Sequence, residues 1–414
     1  MIDKKTLVII SFITALFSHF VFYFATYGPP MSNAIFNING LVALAASMIL
    51  FLVYLGTNWR SDLRGDFILT IFDLMILLMF ISFFRSFLNT YRVFSWKELL
   101  LSPYVGLSLF PVLFFIVGVN GKYFFLVNKI LSIYCIVVFI FSLLLINYFE
   151  LQFFLLMPLF YLIITFPLQS PRNRIFTLIV SITVIITSFT NRAGLLRISI
   201  SYLIVVLYYI IIKMRISRKL INIFVFLILT IPFYFLYLGI KGQDVFLMVL
   251  GENTQAASGQ ENFKADTRTF LYVDVFRDLK LNKAFIWGKG INAGYASDNF
   301  ETFNRTMAEV GFLQILLKSG ILGFLVYISL IISAIYKALN RSENSFIKYL
   351  GMMLAGYLVM FFIENVILFN LLNVIIWLVV GMCHSKELRN LNDNEIRELF
   401  SNQRQQEVPE ELIG

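Results

Sequence analysis

Cysteine, histidine, proline and charge are all scarce in this chain of 414 residues. It has two cysteines, two histidines, nine prolines, and only 14% Asp, Glu, Lys and Arg. Both cysteines, Cys135 and Cys383, fall in apolar stretches, which excludes a disulfide framework and a cysteine metal site. The histidines, His19 and His384, are far apart in sequence, and no HExxH, CxxC or EF-hand pattern occurs, so no metal is expected. Charge is too thin for a soluble chain of this size, which would carry roughly 25% charged residues. What is abundant is apolar surface: 59% of residues are hydrophobic and the mean hydropathy is +0.83. That surface needs lipid as its solvent. The net charge of +9 does not indicate nucleic-acid binding, because the basic residues are scattered between apolar runs. They read as topology signals.

A span needs ~20 mostly apolar residues. Twelve such segments are expected, at 7–24, 36–56, 67–88, 100–119, 124–146, 150–168, 174–190, 194–212, 221–240, 309–336, 346–363 and 367–383. Residues 7–24 are long enough to remain as a span, and no Ala-x-Ala cleavage site follows them. Loops of one parity carry Arg60 and Arg64; Lys122; Arg172 and Arg174; Lys213, Arg215, Arg218 and Lys219; and Lys337, Arg341 and Lys348. Loops of the other parity at 25–35, 147–149 and 364–366 carry no Lys or Arg. The asymmetry places both termini in the cytoplasm. The expected fold is all-α and polytopic. Helices one to nine fill residues 1–240, a large outer loop fills 241–308, helices ten to twelve fill 309–385, and a charged cytoplasmic tail fills 386–414.

The long loop divides in two. Gly251 to Ala265 is polar and rich in Gly, Ser and Asn, which suits a flexible segment. A short amphipathic helix is expected from Asp266 to about Lys283, capped by Asp266-Thr267, with Phe270, Val273, Phe276, Leu279 and Phe285 on its apolar face. Trp287-Gly288-Lys289-Gly290 is expected to break it.

Cations at the outer face stand out, because topology alone would avoid them there. Arg192 sits at the hairpin between spans seven and eight with Arg197 about one turn inside span eight, Arg268 and Arg277 lie on the loop helix, and Arg85 nears the outer end of span three. Guanidinium groups at such an interface suit phosphate, which the planar fork binds bidentately; lipid headgroups are the plainer alternative. Arg268 and Arg277 are about two and a half turns apart, so only one faces a common site. Arg268 is preferred, and Arg277, beside Asp278, suits a solvated surface. Two acids accompany the arginines, Glu309 opening span ten and Glu364 closing span eleven. A buried carboxyl can accept a hydroxyl proton. Asp73 and His19 read as packed structural groups.

Three motifs in order carry a resemblance to a known family. They are Ser188-Phe189-Thr190-Asn191-Arg192-Ala193-Gly194; then Arg268 followed by Trp287-Gly288-Lys289-Gly290; then Leu313-Gln314 followed by Ser319-Gly320-Ile321-Leu322-Gly323. With one large loop before the last three spans, the chain resembles the O-antigen polymerase (Wzy) and O-antigen ligase superfamily. Ligases of that superfamily carry a His-Asn-x-x-Leu-Gln stretch, and here Glu309 and Val310 stand at its His and Asn. That departure favours the polymerase. The resemblance implies a bacterial inner-membrane glycosyltransferase with its loop in the periplasm, independent of metal or other cofactor. Its substrates would be undecaprenyl-diphosphate-linked oligosaccharides among membrane lipids, and the resemblance allows a chain-length regulator protein as partner. Arg192, Arg268 and Glu309 would be catalytic, and Arg197, Arg85, Glu364 and Arg277 would bind substrate. A ligase using lipid A–core as acceptor, or a lipid-linked sugar flippase, are the competing expectations.

Overall fold

The computed structural model describes residues 4–27, 33–56, 58–63, 66–88, 93–144, 151–187, 192–214, 216–241, 269–296, 308–363 and 367–402. They are almost entirely helical, and no β-strand occurs among them. In hydrocarbon a helix satisfies its own backbone, and that requirement selects this architecture. The α-helices are α1 (Lys4–Tyr27), α2 (Asn33–Leu55), α3 (Ile68–Leu88), α4 (Val93–Leu101), α5 (Phe114–Val119), α6 (Gly121–Leu144), α7 (Leu151–Thr165), α8 (Pro171–Thr187), α9 (Arg192–Met214) and α10 (Arg218–Ile240). They continue with α11 (Thr269–Leu281), α12 (Gly311–Asn340), α13 (Ser345–Ile363), α14 (Leu371–His384), α15 (Lys386–Asn390) and α16 (Asp393–Asn402). Among the described residues, seven helical segments are long and apolar enough to cross a membrane, and three shorter apolar ones accompany them. This is the build of a multi-pass membrane protein.

Two of the expected spans take a different form. Residues 100–119 are not one α-helix: α4 ends at Leu101, a turn follows, and a 3₁₀ segment at Gly106–Leu113 leads into α5. Pro103 and Pro111 remove backbone donors from this stretch. Gly106 lets the chain fold back on itself, since a Cβ there would lie 1.9 Å from the Leu99 carbonyl oxygen. The last apolar segment starts late, at Leu371, because Asn370 caps it by accepting a hydrogen bond from the Asn373 N–H. At 14 residues α14 is about 21 Å long, shorter than the ~30 Å hydrocarbon core.

Every residue of α14 is buried, so it forms the axis of the bundle. Its closest neighbour is α5. A Cβ on Gly381 would lie 2.2 Å from the Phe115 carbonyl oxygen, and one on Gly118 would lie 2.0 Å from that of Leu378. Small residues let the two backbones touch, which is how apolar helices associate where no water drives them together.

Polar contacts gather at the two ends of the bundle. At one end Lys337 pairs with Asp66, the Glu343 N–H donates to the Arg389 carbonyl, and Asp393 accepts from the Ser345 N–H and hydroxyl. Asn344 donates to the carbonyls of Leu388 and Leu391. Asp73, expected to be structural, accepts from Tyr54 at 2.7 Å and from Arg60 at 3.2 Å. His19 is buried against Tyr134, as a packed histidine should be. The opposite end holds the candidate site.

Candidate functional site

The site is built around a break in α12. Gly320 has φ 69° and ψ −170°, a conformation open essentially to glycine alone. Nine residues, Gly311 to Ser319, lie before the break, and Gly311 through Lys318 are all buried. A helix broken inside a protein leaves carbonyls before the break and N–H groups after it without intrahelical partners. The large loop supplies both kinds. The Lys289 N–H donates to the Leu317 carbonyl at 2.8 Å, and the Gly290 N–H to that of Lys318 at 3.1 Å. In return the Ile321 N–H donates to Phe285 O at 2.9 Å and the Leu322 N–H to Ile286 O at 3.4 Å. The Trp287-Gly288-Lys289-Gly290 turn is therefore the plug of the helix break rather than the terminator of α11.

The turn is also fixed to the end of α3. Arg85 donates to the Trp287 carbonyl at 3.1 Å, the Ile291 N–H to that of Ser82 at 3.3 Å, and the Asn292 N–H to Ser86 Oγ at 2.9 Å. Ser82 Oγ donates to Lys318 O at 2.9 Å, which closes the link between α3 and α12. Gln314 acts as a backbone surrogate for the α13–α14 connection: its Nε2 donates to Ile367 O at 3.0 Å, and its Oε1 accepts from Ile367 N–H at 2.9 Å.

The loop helix α11 ends earlier than Lys283. Lys283 itself takes the left-handed φ of 51°, with Ala284 N–H donating to Leu279 O and Lys283 N–H to Lys280 O. That is a Schellman termination with a lysine where glycine is usual. The buried face of α11 differs in part from the expected one: Leu279 is buried and Phe276 half-buried as expected, and the Phe270 side chain lies outside the described residues. Leu271, Tyr272, Val275 and Leu279 are buried, whereas Val273 and Phe285 are exposed. The helix has two apolar stripes, and tertiary contacts choose between them: Tyr272 donates to Phe362 O at 2.7 Å and packs its ring on Phe312. Asp274 and Asp278 lie on the buried side as well, at 2% and 9% exposure. Asp278 accepts from Lys289 Nζ at 2.6 Å, and Lys289 also donates to Gly294 O at 2.7 Å.

Of the residues singled out in the sequence, Glu309 is half-buried two residues before α12, between buried Ala308 and Val310. There the helix N-terminus favours a carboxylate. Arg85 is half-buried against the turn. Arg277 is exposed and 3.7 Å from Asp274, one turn back on its own helix. Arg197 faces elsewhere, lining a crevice between α7, α9, α13 and α14 with Phe160, Ser201, Met353, Gly356 and Tyr357. It is not grouped with Arg85 there. Arg192 is the first residue of α9, but its side chain lies outside the described residues, as do Arg268 and Glu364.

Lys318 was not anticipated. It is buried directly before the break and donates to the Tyr104 carbonyl, tying the loop before the 3₁₀ segment to the site. The signal for it was present: of the two lysines in this apolar 30-residue helix, Lys337 lies in the last turn but Lys318 lies well inside, where a cation is costly unless something receives it. Asp274 and Asp278 had a fainter signal, as two acids on one face of a helix four residues apart. Among the described residues no group of three or more His, Cys, Asp or Glu is placed to hold a metal. In comparison with known proteins, no family model, no curated protein and no solved structure matches this chain.

Proposed function

We propose that the chain is a glycosyltransferase of the bacterial inner membrane that polymerises undecaprenyl-diphosphate-linked saccharide repeat units at the periplasmic face. The observation that carries this reading is the stitching of residues 285–290 into the break at Gly320. It holds a cation-bearing loop rigidly against the ends of apolar helices, the level at which a lipid-linked diphosphate presents itself. Preorganised donors are worth most where charge develops in a site that excludes water.

In this reading the acceptor hydroxyl oxygen attacks the anomeric carbon of the growing glycan. The bond from that carbon to the diphosphate oxygen breaks, and undecaprenyl diphosphate departs with the electron pair. Arg192 and Arg268 hold the diphosphate and stabilise its added negative charge. Glu309 takes the hydroxyl proton. Arg85 and Glu364 contribute to binding the lipid-linked substrates. Twelve spans with both termini in the cytoplasm belong to the same proposal, and the charge asymmetry of the loops supports it.

The test is reconstitution of the purified protein in vesicles with lipid-linked repeat units, with and without a chelator. Elongated products on the same lipid, formed in both conditions, are expected. Transfer only when lipid A–core is supplied would make the chain a ligase. Movement of the lipid-linked units across the bilayer without bond formation would make it a flippase.

A further inference from the structure

Large apolar side chains between α11 and the helix break are left uncovered by the other described residues. Leu281 is 76% exposed, Ile286 54% and Trp287 48%. A cluster of this kind on a protein surface marks something that covers it.

Position indicates what that is. Phe285 and Ile286 are bonded through their backbones to Ile321 and Leu322, at the start of the long half of α12, and Trp287 is held by Arg85 near the end of α3. Both helices show exposed apolar stripes. On α3 these are Leu77, Phe80, Phe84 and Phe87, and on α12 they are Leu325 and Ile332. In helices long and apolar enough to cross a membrane, exposed stripes face acyl chains. Residues 285–287 thus lie beside the end of α3 and the break in α12, where the apolar stripes would meet headgroup level and tryptophan is favoured.

Charge gives a second, independent indication. Between Leu271 and Ala296 the exposed charged residues are Arg277, Lys280 and Lys283, all cationic, while Asp274 and Asp278 are turned inward. Lys283 keeps its charge at a backbone position where glycine would be less strained. A basic rim around an apolar patch suits an anionic phospholipid surface.

We infer that residues 281–287 form a wedge set into the interface of the bilayer on the loop's own side. Its apolar side chains enter the acyl region, and Lys280 and Lys283 meet anionic phospholipid phosphates. The inference does not depend on the glycosyltransferase reading, and its readouts require no turnover.

The full-length protein is placed in phosphatidylcholine vesicles with brominated acyl chains, with and without phosphatidylglycerol. The Trp287 signal is taken as the fluorescence lost in Trp287→Phe. Quenching of that signal by shallow brominated lipid, with protection from aqueous iodide, is expected. Quenching by iodide and not by bromine would overturn the wedge. Protection from both would overturn it equally, because it would indicate cover by protein, a second copy included. A nitroxide on Ile286→Cys, with Cys135 and Cys383 replaced by serine, checks the result without removing the tryptophan: oxygen collisions should exceed those of a water-soluble nickel chelate, and the reverse order would refute immersion. Lys280→Gln with Lys283→Gln should weaken local insertion about five-fold per charge in phosphatidylglycerol vesicles, and little in pure phosphatidylcholine. An equal effect in both lipids would remove the phosphate contact.

Discussion

Gly288 and Gly320 face each other across the helix break so closely that neither position has room for a side chain. A Cβ on Gly320 would lie 2.2 Å from the Ile286 carbonyl oxygen and 2.5 Å from the Gly288 nitrogen; one on Gly288 would lie 2.5 Å from the Lys318 carbonyl. Both residues have positive φ. Strain alone at such a position costs about 1–3 kcal/mol, and the opposing atoms are backbone that cannot step aside. Gly320→Ala and Gly288→Ala should each lower thermal stability in detergent and detach the loop turn. Melting temperatures equal to that of wild type in both variants would show that the turn does not plug the break.

The Asp278–Lys289 pair joins α11 to that turn, with side chains 11% and 21% exposed. Removing one member strands the other in a partly dry site, at roughly 1–3 kcal/mol. Lys289→Ala and Asp278→Ala should each destabilise, and the double variant should fall short of the sum of the two. Strict additivity in a double-mutant cycle would mean that the pair contributes no coupling.

Lys318→Met keeps the length of the side chain and removes its donor, leaving the Tyr104 carbonyl without that partner. A loss of about 1–3 kcal/mol is expected, together with faster proteolysis or exchange around Pro103 and Tyr104. Unchanged protection there would show that the ammonium does not hold that loop.

At the other end of the molecule Asp66 gives a pH signature. Burial opposes its ionisation, but the Lys337 hydrogen bond, the Ile68 N–H and the Lys337 charge outweigh that and hold its carboxyl below the ordinary value of 3.8. A depressed folded-state pKa stabilises the protein above the unfolded value, and that contribution fades as pH falls through the folded one. The melting-temperature advantage of wild type over Asp66→Asn should be full near neutrality and shrink below about pH 4. A difference that does not change with pH would mean that the pair does not sense protonation.

Arg192→Lys preserves charge but loses the planar fork that grips two phosphate oxygens at once. On the proposed mechanism polymer length should collapse in Arg192→Lys, Arg192→Ala and Arg268→Ala cells. Ladder patterns like those of wild type in all three would remove these arginines from the reaction.

The helical, membrane-type character of the chain was legible from local composition, because apolar runs of about 20 residues have one structural solution in lipid. Arg85 and the two Gly-containing motifs also stood out there, and the structure brings them together at the break. The sequence did not reveal that Trp287-Gly288-Lys289-Gly290 and Ser319-Gly320 are two halves of one joint. Nor did it reveal which stripe of α11 turns inward, or that Lys318 reaches Tyr104. Those relationships join residues up to 214 positions apart, and they arise because the backbone groups freed by a broken helix must find partners wherever the folded chain brings them.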